Sequence, residues 1–237
     1  EERRHGLPFL AGVCTGVLAI WPVLSFVSLP SGDPLEQIRA VAEFPWAYAL
    51  NFTVALVIAP LLVTVLISFY RERAREAVVR GDVDHAEAAA LARGKDPTLG
   101  VGVRIGYGFY IILASLSYGS QVILSIFGPW QLRPGDALSW FFYNQQSVPY
   151  VINQTGYLIW GITTLLLFGP LLRKRGFVRW IALLLVVSSA MQIVATTGLY
   201  VGFAALTQLT MLSGLLLLPV TVMLIFYGLR MERQSER

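Results

Sequence analysis

The densest set of side chains able to do chemistry runs from Tyr143 to Trp160, reading Tyr-Asn-Gln-Gln-Ser-Val-Pro-Tyr-Val-Ile-Asn-Gln-Thr-Gly-Tyr-Leu-Ile-Trp. Its groups are amides, hydroxyls and aromatic rings, and none is charged. They can hydrogen-bond and stack. In hydrocarbon an amide needs a protein or water partner, so a span carrying these residues should face inward with the other helices packed round it.

Other neutral polar residues follow the same pattern. Asn51, Gln121, Asn153, Gln154, Thr196, Tyr200, Gln208 and Thr210 fall in the outer halves of apolar runs, and Tyr118 and Gln192 fall near the middle. Tyr107, Tyr110, Ala114, Ser117 and Gln121 recur at helical spacing and form one polar-aromatic seam. If these groups converge, they line an outward-opening pocket suited to a lipophilic or neutral small molecule. Gln121, Gln154, Tyr157, Gln192, Asn153, Thr196 and Tyr118 are the candidate lining. The competing expectation is interhelical hydrogen bonding alone, at roughly 0.6 kcal/mol per contact.

What is missing narrows the function further. All 14 Asp and Glu, all 18 Lys and Arg and both His lie outside the apolar runs. Ion-coupled transport, an intramembrane metal centre, bis-histidine haem and a retinal Schiff base each need such groups inside a span. No metal site or cofactor is therefore expected. Ser115, Ser117, Ser120, Ser188 and Ser189 have no base in their own spans, which argues against nucleophilic catalysis. An enzyme would have to use Asp33, Glu43 or Asp136 at the outer surface. His5 and His85 read as solvated side chains, and Cys14, the one cysteine, as a small buried hydrophobe.

The elements that must position these residues are legible from composition. Of 237 residues, 56% are hydrophobic and 14% charged, against about 25% charged in a soluble domain. Six apolar runs, at about 7–29, 45–70, 105–127, 148–172, 180–203 and 205–229, are long enough to span a bilayer. The expected fold is all-α: one six-helix transmembrane bundle with short interfacial helices in two long outer loops. Threading six spans puts every Lys and Arg except Arg39 and Arg133 on one side, so both termini are expected in the cytoplasm. The basic charge then reflects topology and anionic lipid, not nucleic acid.

Local signals refine the elements. The first run follows Glu-Glu-Arg-Arg-His and reads as a retained span. Asp33 and Pro34 open a surface helix whose apolar face is Leu35, Ile38 and Ala42. The second span continues as a charged helix over 71–80, ended by Gly81, and another short helix covers 84–93. Asp136 caps a further helix, with Trp140, Phe141 and Phe142 dipping into the headgroups. The order Gly-Asp-x-Leu, Pro-aromatic, Asn-x-Thr occurs twice, at Gly32, Pro45 and Asn51 and again at Gly135, Pro149 and Asn153, the pattern of a parallel repeat. Both Asn-x-Thr triplets lie in or beside a span, so glycosylation is not expected.

From Gly156-Tyr157 through Arg173-Lys-Arg-Gly-Phe-Val-Arg-Trp180 the chain resembles a bacterial family of six-span membrane proteins known only as a domain of unknown function. The resemblance implies fold and a cytoplasmic-membrane location, and no activity. The expected function is non-enzymatic: binding a small molecule in the outward-facing pocket, or acting as an accessory subunit beside a membrane-protein partner. The alternative is an uncoupled facilitator or permease for a neutral or amphipathic solute.

Overall fold

A computed structural model describes residues 6–28, 31–79, 100–127 and 134–235. The expected short helix at 84–93, His5, His85, Trp130 and Arg133 lie outside them. The described residues form, in order, the α-helices α1 (Gly6–Ser28), α2 (Pro34–Glu43), α3 (Pro45–Val79), α4 (Val101–Phe127), α5 (Pro134–Trp140), α6 (Val148–Phe168), α7 (Phe177–Tyr200) and α8 (Leu209–Ser235). Among the described residues there is no strand. Six helices are long and apolar enough to cross a bilayer, and the chain is a multi-pass membrane protein. We call the end carrying α2 and α5 the outer end, after the charge asymmetry.

The six long helices form a closed circle. Each packs against the next in chain order, α1 on α3, α3 on α4, α4 on α6, α6 on α7 and α7 on α8, and α8 returns to α1. No helix occupies the centre, so α6 is a member of the circle and not the axis of the others. Its polar face nevertheless points inward: Asn153, Gln154, Trp160, Thr163 and Thr164 are buried. The stretch of α3 from Pro45 to Ala74 is the most buried span. Phe9, Phe26, Leu166, Met211 and Phe226 face outward, as a lipid-facing rim requires.

Several helix ends follow local chemistry. Asp33 caps α2: Oδ1 accepts from the Leu35 and Glu36 amides at 2.8 and 2.9 Å, and Glu36 reaches back to the Asp33 amide. The buried face of α2 is Ile38 and Val41 with Leu35 half-buried; Ala42 is exposed, because the face follows i, i+3 spacing. The second surface helix starts at Pro134, so Asp136 sits in its first turn and is not its cap. The two hairpins therefore share Asn-x-Thr, where Thr53 and Thr155 both bond the carbonyl four residues back, but not the capping geometry. Ser147 caps α6 through the Tyr150 amide. The charged extension of α3 runs on past the apolar stretch as expected. The sixth span runs over Ala205–Arg233, close to the expected 205–229, and opens with a tight turn over Ala204–Gln208, so Gln208 lies just before α8.

Candidate functional site

The seven candidate residues do not form one cluster. They separate into three assemblies at the outer half of the circle.

The first surrounds Gln121, which is fully buried. Its Oε1 accepts from the Tyr48 hydroxyl at 2.8 Å and the Phe142 amide at 3.2 Å. Its Nε2 donates to the Trp140 carbonyl at 3.0 Å and Ser120 Oγ at 3.1 Å. Two of its four bonds fix the junction at the end of α5. Phe141 and Phe142 are consequently buried against Tyr48, Phe52 and Tyr118, not dipped into headgroups as expected; only Trp140 is exposed. Aromatic rings reach the protein interior because Gln121 satisfies the backbone polar groups that enter with them. Asn51 secures the same wedge, donating to the Tyr143 hydroxyl at 2.9 Å while accepting from Ser25 at 3.0 Å. Burial pushes the Tyr143 phenol above its ordinary range, partly offset by its bonds with Ser25 and Asn51.

The second assembly ties α6, α7 and α8 together. Gln154 Oε1 accepts from Gln192 at 3.1 Å, Thr196 at 3.3 Å and Thr210 at 3.4 Å. Below it, the Ser188 and Ser213 hydroxyls each bond the other's backbone carbonyl at 3.0 Å. Tyr200, in the outer half of its span as expected, is exposed and bonded to Thr155 at the rim, apart from the buried Gln192 and Thr196.

The third is an aromatic column between α4 and α6. The Phe142 ring of the wedge lies 5.5 Å from Tyr118, whose hydroxyl meets that of Tyr157 at 2.8 Å. Tyr157 packs on Tyr110 at 5.8 Å, and Tyr110 on Trp160 at 6.2 Å. Asn153 sits beside the paired hydroxyls. Asn153 and Trp160 are each 2% exposed, yet Asn153 Oδ1 and Trp160 Nε1 have no hydrogen-bond partner among the described residues. Trp21 Nε1, Arg73 Nε and Ser189 Oγ are buried and unpartnered in the same way, so such atoms are spread over four helices. Of the seven candidates, Tyr118, Tyr157 and Asn153 belong here; Trp160 was recognisable only as the deepest tryptophan.

At the inner end Phe69 stacks on Phe168 at 6.2 Å and meets Tyr227 edge-on at 5.0 Å. Arg73 and Glu76, 12% and 10% exposed, form a 2.5 Å ion pair there. Sequence reading missed this pair because both residues sit in a charged run that looks solvated. The Arg73-x-x-Glu76 spacing was its only signal. A cleft of about 400 Å³ lined by Arg175, Arg179 and Trp180 lies at the same end, away from all seven candidates.

No protein-family model, curated protein or solved structure matches the chain, so the resemblance carried by Gly156-Tyr157 and residues 173–180 remains a proposal.

Proposed function

We propose that this is a non-enzymatic protein of a bacterial cytoplasmic membrane, with both termini in the cytoplasm, that binds a neutral amphipathic small molecule along the column from the outer side. The carrying observation is that uncharged aromatic and amide side chains from α4 and α6 converge in one column at the outer half of the circle. The lining named here, Tyr110, Tyr118, Asn153, Tyr157 and Trp160, has no charge, so the occupant is neutral as well. The aromatic closure at Phe69, Phe168 and Tyr227 favours binding over permeation.

Native mass spectrometry of protein purified in mild detergent tests the reading. A small-molecule adduct of defined mass is expected, and Tyr157→Ala should remove it while bulk phospholipid stays. Purified protein that carries only phospholipid, in wild type and variant alike, defeats the proposal. Proteoliposomes should show solute flux at background.

A further inference from the structure

We infer that the cleft at the inner end is a site for one anionic phospholipid, its phosphate held by Arg175 and Arg179 and an acyl chain lying along α7. The site is separate from the column, and its test passes or fails independently of the binding reading above.

Local sequence builds the cleft. The connection from α6 to α7 is short: a turn over Gly169–Arg173 ends where the Lys174 amide donates to the Leu171 carbonyl at 3.0 Å. Gly176 then takes a φ of +72°, a left-handed conformation that a residue with a side chain rarely adopts, and α7 begins at Phe177. Arg175 stands just before this reversal and Arg179 in the first turn after it. Both line the cleft of about 400 Å³, together with Gly176, Trp180 and Leu183. Arg173 and Lys174 are exposed on the same connection but lie outside the cleft.

The charge of the cleft is not compensated from within. Among the described residues no carboxylate pairs with Arg175 or Arg179. No side chain caps α7 at Gly176, so the positive end of the helix dipole adds to the same charge. A guanidinium stays ionised and presents a planar fork that fits two phosphate oxygens. A zwitterionic headgroup would bring a further cation toward the two arginines, and an anionic one brings none.

The neighbouring surface fits a lipid better than a free anion. Trp180 and Leu183, the apolar walls, are exposed, and the exposed positions of α7 continue as Val187, Ala190 and Val194 at helical spacing. Leu183 to Val194 covers about 16 Å of helix. That is close to half of a hydrocarbon core of about 30 Å. The stripe thus runs from a basic cleft with an interfacial tryptophan toward the bilayer midplane, which is the reach of one acyl chain.

The full chain is stripped of lipid in detergent and titrated with dioleoyl phosphatidylglycerol or dioleoyl phosphatidylcholine, and bound lipid is counted by native mass spectrometry. Phosphatidylglycerol should bind at least about tenfold more tightly. Arg175→Gln with Arg179→Gln should remove that preference. Arg173→Gln with Lys174→Gln, an equal change of charge on the same connection, should leave it within about threefold. All four side chains are exposed, so the lipid-free proteins should unfold at the wild-type temperature. Equal losses in the two double variants would mean that lipid follows the net charge of the inner end, and would overturn the assignment. Equal affinity of wild type for the two lipids overturns it as well, with no variant needed. Inorganic phosphate at the concentration of the lipid should not displace it; displacement would make the cleft a site for a free anion and also overturns the assignment.

Discussion

Tyr227 donates a hydrogen bond to Glu76 at 2.8 Å and so joins α8 directly to α3, although α1 packs against both. Glu76 also accepts from Arg73, which makes it the shared acceptor at the inner end. Arg73 Nε is already buried without a partner, so this guanidinium has little other compensation. Glu76→Ala is expected to lose roughly 3–5 kcal/mol, the cost of leaving a buried charge unpaired. Tyr227→Phe should lose only about 1 kcal/mol. Reversible unfolding in mixed micelles measures both, and equal losses would show that the pair is solvated.

The fold was readable because apolar run length is a property of composition, needing no knowledge of partners. Asp33 could be placed as a cap because its chemistry is local. The arrangement of polar residues was not local. Gln121 and Gln154 read alike in sequence, yet Gln121 holds a loop and Gln154 holds two helices. Phe141 and Phe142 read as membrane-interface residues because nothing in their own segment reveals that Gln121 pairs the Phe142 amide. The column could not be seen either, since its rings come from two helices whose pairing is not local.

The wedge gives a second prediction. Gln121→Leu strands the Phe142 amide in the interior and removes one bond from the Tyr48 hydroxyl, at about 1–3 kcal/mol for the stranded amide if nothing rearranges. The wedge should relieve this by withdrawing, so hydrogen exchange over residues 141–147 should quicken while α6 beyond Gly156 stays protected. The raised Tyr143 phenol adds a pH dependence. Folding favours its protonated form, so the contribution is complete below the ordinary tyrosine value of 10.0 and falls as pH rises from there through the higher folded value. Protection of the wedge, taken relative to the intrinsic exchange rate at each pH, should therefore fall above that pH in wild type, and Tyr143→Phe should flatten the fall. A pH-independent wild type would count against the buried phenol.

Gln154 accepts from three side chains on two other helices, whereas Gln192 donates to two. Gln154→Leu should thus destabilise more than Gln192→Leu. The double variant should fall short of the sum by 0.5 kcal/mol or more, because the first substitution already removes the bond they share. Strict additivity, measured by a double-mutant cycle in the same micelles, would mean that the α6–α7 bond contributes nothing.

The last prediction concerns how closely the circle is drawn together. A side chain on Gly161 would meet the Ser189 carbonyl of α7 at 3.0 Å, and one on Gly228 would meet Pro8 of α1 at 2.7 Å. Backbone and proline atoms cannot swing aside, so Gly161→Val and Gly228→Val must separate helices, at roughly 1–3 kcal/mol. Gly12 and Gly16 on α1 have open space where a side chain would go. Gly12→Ala and Gly16→Ala should therefore be neutral or stabilising by up to about 1 kcal/mol through helix propensity. The contrast separates two reasons for glycine in a span: at α6–α7 and α8–α1 it lets backbones touch, and on the outer face of α1 it does not. If all four substitutions destabilise alike, α1 has a close neighbour on that face, and the oligomeric state of the protein in micelles becomes the quantity to measure.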